Sequence, residues 1–199
     1  MDLRRQQLVE IGSELFAKRP YDEVGVEEIA AAAGVSRGLL YHYFPTKRDF
    51  FIEVVRRHVT QVGELTDSDA SLSPLDDLRG TLDAYIAYVD ENAQSWVTVH
   101  RAGIGSDAEV RALLESSYAS QVERILGRMT GGGEAPPVLE LAVRGWLGFA
   151  IATMIDWLEH RQLEPEALRE LLVQGLKGVV AAACDADPSI TLVGLEAAD

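Results

Sequence analysis

Five residues in the stretch VEEIAAAAGVSRGLLYHYFPTKR, residues Val26–Arg48, could do recognition chemistry. Arg37, Gly38, Leu39, Tyr41 and Tyr43 lie wholly or partly outside the stripe that Leu40 and Phe44 form at a spacing of four. A short helix that turns small, polar and basic groups away from its core has the build of a helix-turn-helix, a module that lays one helix in the major groove of DNA.

Two short helices and a tight turn must hold that face. Ala30 sits where the helices cross, and a larger side chain would hold them apart. Gly34 follows where the first helix must stop. A chain that turns in so few residues needs positive φ there, which glycine reaches without Cβ strain. Val35 faces inward, and Ser36 can cap the next helix by accepting an orphan N–H. The same spacing suits an ordinary helical hairpin, so it leaves structural and DNA-binding readings both open.

Catalytic chemistry finds little support. The histidines are His42, His58, His100 and His160. Asp156 and His160 share a helix face, yet no third metal ligand is placed. No HExxH, CxxC or EF-hand loop occurs. No serine elbow or Cys–His pair is identifiable, and Gly131–Gly133 reads as a linker. The expectation is therefore no catalytic residue, no metal site, no cofactor and no enzyme.

The chain has 199 residues, enough for one large domain or a small one with a medium one. Its 47% apolar content supports a real core. No run of about 18 uncharged apolar residues occurs, so no membrane-spanning helix is expected. MDLRRQQLVEIG has no apolar signal region. The single Cys184 reads as a small core residue of a protein in a reducing cytoplasm. The net charge of −14 is wrong for a DNA binder until its distribution is seen. Residues 1–60 hold nine cations and nine acids, so the remainder carries the whole excess. Such a remainder would repel DNA from all but the N-terminal end; it would equally keep a protein soluble.

Every long segment reads at helical period and none at period two. Leu8, Ile11, Leu15 and Phe16 make the stripe of a first helix. Thr46 caps a fourth helix that runs to about Leu65. Ser73-Pro74 opens a fifth, and Trp96, Val97 and His100 mark a short sixth. Ser106 with Glu109 is a capping box for a seventh. TGGGEAPP, 130–137, reads as a flexible break. The eighth helix, 138–160, is apolar nearly all round and needs a partner on its outer side. Pro165 opens a ninth, with Leu168, Leu172, Leu176, Val179 and Ala183 as its stripe. Residues 185–199 read as a loose or docked tail.

The run I29-A30-x3-G34-V35-S36-x3-L40-Y41-x2-F44-x2-K47 resembles the TetR family of bacterial transcriptional regulators. The resemblance implies an all-α fold of about nine helices. A helix-turn-helix domain would span 1–47, and a helical ligand-binding and dimerisation domain 48–199. It also implies a homodimer bound to double-stranded operator DNA, no membrane partner, and a cytoplasmic, ligand-responsive repressor released by a small apolar effector. Carried over by position, Ser36, Arg37, Gly38, Leu39 and His42 would approach base edges or adjoining backbone. Tyr41 and Tyr43 would bind phosphates, and Lys47 would anchor one. Gly25 stands where the family usually has a threonine cap, and Leu39 where a threonine is frequent. The alternatives are an all-α enzyme or small-molecule binding protein that uses the hairpin structurally, or a ligand-independent DNA-binding regulator.

An aromatic set on the middle helices mixes apolar lining with polar groups, as small-molecule pockets do. Trp96, His100, Arg101, Tyr118, Trp146 and Phe149 are the candidate effector contacts. Plain core packing is the competing reading for each.

Overall fold

The computed structural model describes residues 3–67, 72–100 and 107–193. Among these the chain is all-helical: α1 (Leu3–Lys18), α2 (Val26–Ala32), α3 (Arg37–Tyr43), α4 (Lys47–Leu65), α5 (Pro74–Glu91), α6 (Ala93–His100), α7 (Ala108–Thr130), α8 (Pro137–His160) and α9 (Pro165–Ala186). A 3₁₀ turn at Tyr21–Glu23 precedes α2. The chain divides into two compact units, Met1–Val62 with Tyr88–Glu115, and Gly63–Ala87 with Ser116–Asp199.

In the first unit α1 packs on α6 and α2, and α2 on α3. Its centre is aromatic: Phe16 meets Phe51 edge-on at 5.1 Å, and Phe44 meets Phe50 at 4.9 Å. The buried face of α1 is Leu8, Val9, Gly12 and Phe16, with Ile11 and Leu15 only half-buried. The expected stripe is thus rotated. Gly12 explains it: a Cβ there would lie 2.3 Å from Phe50 Cζ, so α1 turns its one bare backbone position toward the ring.

Helix starts follow their capping chemistry. The Thr46 hydroxyl accepts the Asp49 N–H at 3.0 Å while the Asp49 carboxylate accepts the Thr46 N–H at 3.1 Å. Ser73 accepts the Asp76 N–H at 3.2 Å. Ser106 lies outside the described residues. The cap seen on α7 is Asp107, whose Oδ1 accepts from Glu109 and Val110 at 3.0 and 3.4 Å.

In the second unit α8 packs along α9. Trp146 Nε1 donates to the Leu172 carbonyl at 2.9 Å, pinning the two helices together. Gly175 lets this happen, since a Cβ there would stand 3.1 Å from the Phe149 ring and 3.5 Å from Trp146. In α9, Val180 is buried where Val179 was expected. The break after α7 is a hydrogen-bonded turn: Gly131 and Gly132 have φ of +62° and +83°, and Gly132 N–H donates to the Gly127 carbonyl at 2.8 Å. Helix α9 runs to Ala186, and the chain beyond docks, with Val193 N–H donating to the Met129 carbonyl at 2.8 Å.

One face of α8 has no cover among the described residues. Leu141, Gly145, Gly148, Phe149 and Ala152 recur at helical spacing and are exposed, Leu141 at 70%. By length and composition alone α8 is apolar enough to cross a membrane, a test that the core helix of a soluble protein also passes. Its opposite face, including Leu139, Val143, Trp146 and Met154, is buried inside this unit.

Candidate nucleic-acid interface

The turn between α2 and α3 is built as its residues dictate. Gly34 has φ +61° with nothing within 4 Å of a would-be Cβ, so backbone conformation alone demands glycine. Val35 N–H donates to the Ala30 carbonyl at 2.9 Å, closing the turn over the buried Ala30. Ser36 Oγ accepts the Leu39 N–H at 3.1 Å and fixes where α3 starts. Leu40 and Phe44 are 3% and 2% exposed and seat α3 on the aromatic centre.

This seating leaves Arg37, Gly38, Leu39 and His42 on the exposed face, with Tyr41 and Tyr43 half-exposed beside it. Arg37 is preorganised within the face. Its guanidinium pairs with Glu27 of α2 at 2.6 Å and lies 5.4 Å over the Tyr41 ring. A hydrogen bond to Tyr41 and the Glu27 charge push its pKa further up, so it stays cationic at any working pH. His42 and Tyr43 meet edge-on at 5.5 Å.

Lys47, first residue of α4, is held rather than loose. Its Nζ donates to the Tyr21 carbonyl at 2.6 Å and lies 4.2 Å above the Tyr21 ring. Partial burial lowers its pKa. Neighbouring cations are spoken for: Arg5 pairs with Glu53 at 2.8 Å, Arg57 with Glu10 at 2.7 Å, and Arg48 with Asp107. The face therefore offers Arg37, His42, two tyrosines and Lys47 to an anion or base edge, with Glu27 already beside the arginine.

The predicted effector contacts fall in both units. In the first, Trp96 is fully buried and stacks on His100 at 4.0 Å, while His100 Nδ1–H donates to the Trp96 carbonyl. His58 shares a 2.6 Å hydrogen bond with Tyr88 beside them. Burial drives His58 down to about 3 and His100 down to about 4, so both are neutral. In the second unit Trp146 is 4% exposed and Phe149 lies on Gly175 at the surface. Burial raises the Tyr118 phenol, as does nearby Tyr85. Arg101 lies outside the described residues. Trp146 borders a cavity of only about 60 Å³, with Tyr85, Gln121 and Arg124.

A larger cavity, about 310 Å³, has walls from α5, α7, α9 and the segment after α9. The sequence reading passed it over because its lining has no aromatic residue. The available signal was the α9 stripe Leu176, Lys177, Val180, Ala181 and Cys184, which places a lysine and the one thiol on a largely apolar face.

Known proteins match this architecture along nearly the whole chain. The family model described as bacterial regulatory proteins, tetR family, matches residues 8–54, and that of the tetracyclin repressor-like C-terminal domain matches 74–178. A tetR-family transcriptional regulator from Streptomyces coelicolor of known structure is 30% identical, with a TM-score of 0.85 over 94% of this chain and 86% of its own. The transcriptional activator FasR of Mycolicibacterium smegmatis is 25% identical over 87% of this chain and 81% of its own. The regulator AcuR of Cereibacter sphaeroides is 40% identical over 39% of this chain and 36% of its own. The two family models together span most of the chain, and the Streptomyces coelicolor regulator matches it almost end to end, so the chain belongs to the TetR family of bacterial transcriptional regulators.

Proposed function

We propose that this chain is a homodimeric repressor, active in the cytoplasm, that leaves a palindromic operator when a small apolar effector binds. Residues 1–47 would read DNA, and 48–199 would bind the effector and pair two chains. The observation that carries the reading is the exposed α3 face, fixed at its start by the Ser36 cap and beneath by Leu40 and Phe44. Arg37 is the direct reader, its fork matching O6 and N7 of guanine. Ser36, Gly38, Leu39 and His42 approach neighbouring bases or backbone. Tyr41, Tyr43 and Lys47 hold phosphates.

The uncovered apolar stripe of α8 supports a dimer, since Gly145 and Gly148 would let a second backbone approach closely. Paired chains would set two α3 helices about 34–36 Å apart, one turn of DNA. Effector control then requires a molecule that prefers a conformer in which this spacing is lost. FasR is named an activator, so the direction of control is tested directly. Duplexes selected from random DNA should be pseudo-palindromic, with affinity falling steeply between 50 and 300 mM salt (an order-of-magnitude range set by counterion release). A selected site placed over a promoter should lower reporter output. A flat salt response or no selectable site refutes DNA reading; raised output refutes repression.

A further inference from the structure

The 310 Å³ cavity of the second unit is large enough for a small molecule, whereas the one beside Trp146, about 60 Å³, has room for little more than water. Leu75, Leu78, Ile125, Leu176 and Val180 give it aliphatic walls. Among the described residues its charged lining is cationic, Arg128 of α7 and Lys177 of α9, with no acid in the wall. Arg128 is paired behind the wall with the buried Asp77 at 2.7 Å, which neutralises that charge. Lys177 is exposed and has no partner among the described residues, leaving one uncompensated positive charge beside an apolar chamber. In a chain of net charge −14 such a lining is a local inversion of sign.

We propose that this cavity is the effector site and that it takes an amphipathic carboxylate, its chain among the aliphatic walls and its anion at Lys177. The proposal rests on the reading of the protein as an effector-responsive regulator. A neutral apolar molecule would fill the walls but leave Lys177 without a counter-charge. A cationic one would meet the like charge of Lys177. The position also has a route to control. Arg128 donates to the Thr66 carbonyl at 3.3 Å, and Arg124, one turn earlier, donates to the Gly63 carbonyl and to Thr66 Oγ1. An occupant pressing on Arg128 therefore acts on the contacts that fasten the end of α4 to α7. Helix α4 begins at Lys47, at the DNA-reading end.

Cys184 lines the cavity and is the only thiol in the chain, so its chemistry reports occupancy. The test uses the full-length protein, alkylated with N-ethylmaleimide in the presence of decanoate, decanol or decylamine below their micellar ranges. Decanoate should slow alkylation saturably, decanol less well and decylamine not at all. Lys177→Gln should raise the half-protecting concentration of decanoate about fivefold, the size of one partly exposed charge pair, and leave that of decanol unchanged. Ala181→Trp should abolish protection while circular dichroism stays as in the parent; if that variant misfolds, Lys177→Gln decides. Decanoate should also release selected operator DNA over the same concentration range. No protection by decanoate, or equal protection by decylamine, overturns the proposal. Protection without DNA release shows a carboxylate site that is not the effector site, and overturns it too. A compound that releases DNA without protecting Cys184 leaves effector control standing and removes it from this cavity. Failure to bind any DNA refutes the functional reading itself, whatever happens at Cys184.

Discussion

Arg48 and Asp107 are joined at two points, Nε to Oδ2 at 2.5 Å and Nη2 to Oδ1 at 2.8 Å. The same carboxylate caps α7, so one residue both starts that helix and grips the first turn of α4, next to Lys47. Arg48 holds the Asp107 carboxyl down at about 2.

The two roles of Asp107 separate by substitution. Arg48→Gln and Asp107→Asn remove the ion pair but keep a capping acceptor. Asp107→Ala removes both and should cost about 1 kcal/mol more in urea or thermal unfolding. Equal losses for Asp107→Ala and Arg48→Gln would show that the cap contributes nothing. The carboxylate's folded-state value is depressed, so its contribution is present above about pH 4 and fades as pH falls toward 2.

Gly12 and Gly34 should fail for different reasons. Gly12→Ala improves helix propensity by about 1 kcal/mol, yet drives a methyl into Phe50, which Phe44 and Phe16 confine. We expect a net loss of roughly 1–3 kcal/mol, recovered in part by Phe50→Leu in the same chain. Gly34→Ala meets no neighbour and loses about 1–2 kcal/mol through its backbone alone. Phe50→Leu should not rescue it. Thermal melts of the double variants decide.

His58 and His100 make stability fall on mild acidification. Both have folded-state values below the ordinary value of 6.5, at about 3 and about 4, so the fold prefers their neutral forms. That preference is fully effective above pH 6.5 and is lost progressively as pH drops toward 4 and then 3. The slope between pH 6 and 5 should approach roughly 1.4 kcal/mol per pH unit for each histidine. His58→Asn should remove one such increment from urea-derived stabilities at pH 7, 6 and 5. An unchanged slope would mean that His58 protonates in the folded state.

DNA binding should separate reading from anchoring. Arg37→Ala should relax sequence preference and cost about 1–3 kcal/mol per half-site. Lys47→Ala should weaken all sequences alike and lower the salt slope by about one. Glu27→Gln, which frees Arg37 from its 2.6 Å ion pair, should strengthen binding to every sequence. If Lys47→Ala shifts the selected sequence and Arg37→Ala does not, the roles are reversed.

Assembly is best challenged at Gly148, where an added Cβ meets nothing within 4 Å among the described residues. Gly148→Glu should give a well-folded monomer in sedimentation and lose operator binding. A charge at Leu176 would be a poorer test, because that residue is buried in its own unit. A variant that still sediments as a dimer would place the seam elsewhere.

Gly34, Ser36, Leu40, Phe44 and Thr46 were legible in the sequence because each acts through a turn, cap or stripe closed within four residues. The rotation of α1 was not, because it is set by Phe50, a residue of another helix. The aromatic set could not be sorted into lining and core for the same reason. Trp146 finds its hydrogen-bond acceptor at Leu172 and Trp96 its stacking partner at His100, and residue type alone does not say which aromatics line space and which fill it. The larger cavity is aliphatic, and its walls come from helices far apart in the chain.

Lys47 carries a consequence for the entropy of recognition. A solvent-exposed lysine loses up to about 2 kcal/mol of rotameric freedom when it settles on a partner. The Tyr21 carbonyl and ring already confine this one in the free protein, so that loss belongs to folding and not to binding. In the proposed role of Lys47 as a phosphate anchor, Tyr21 of the 3₁₀ turn would then contribute to DNA affinity through the lysine it holds.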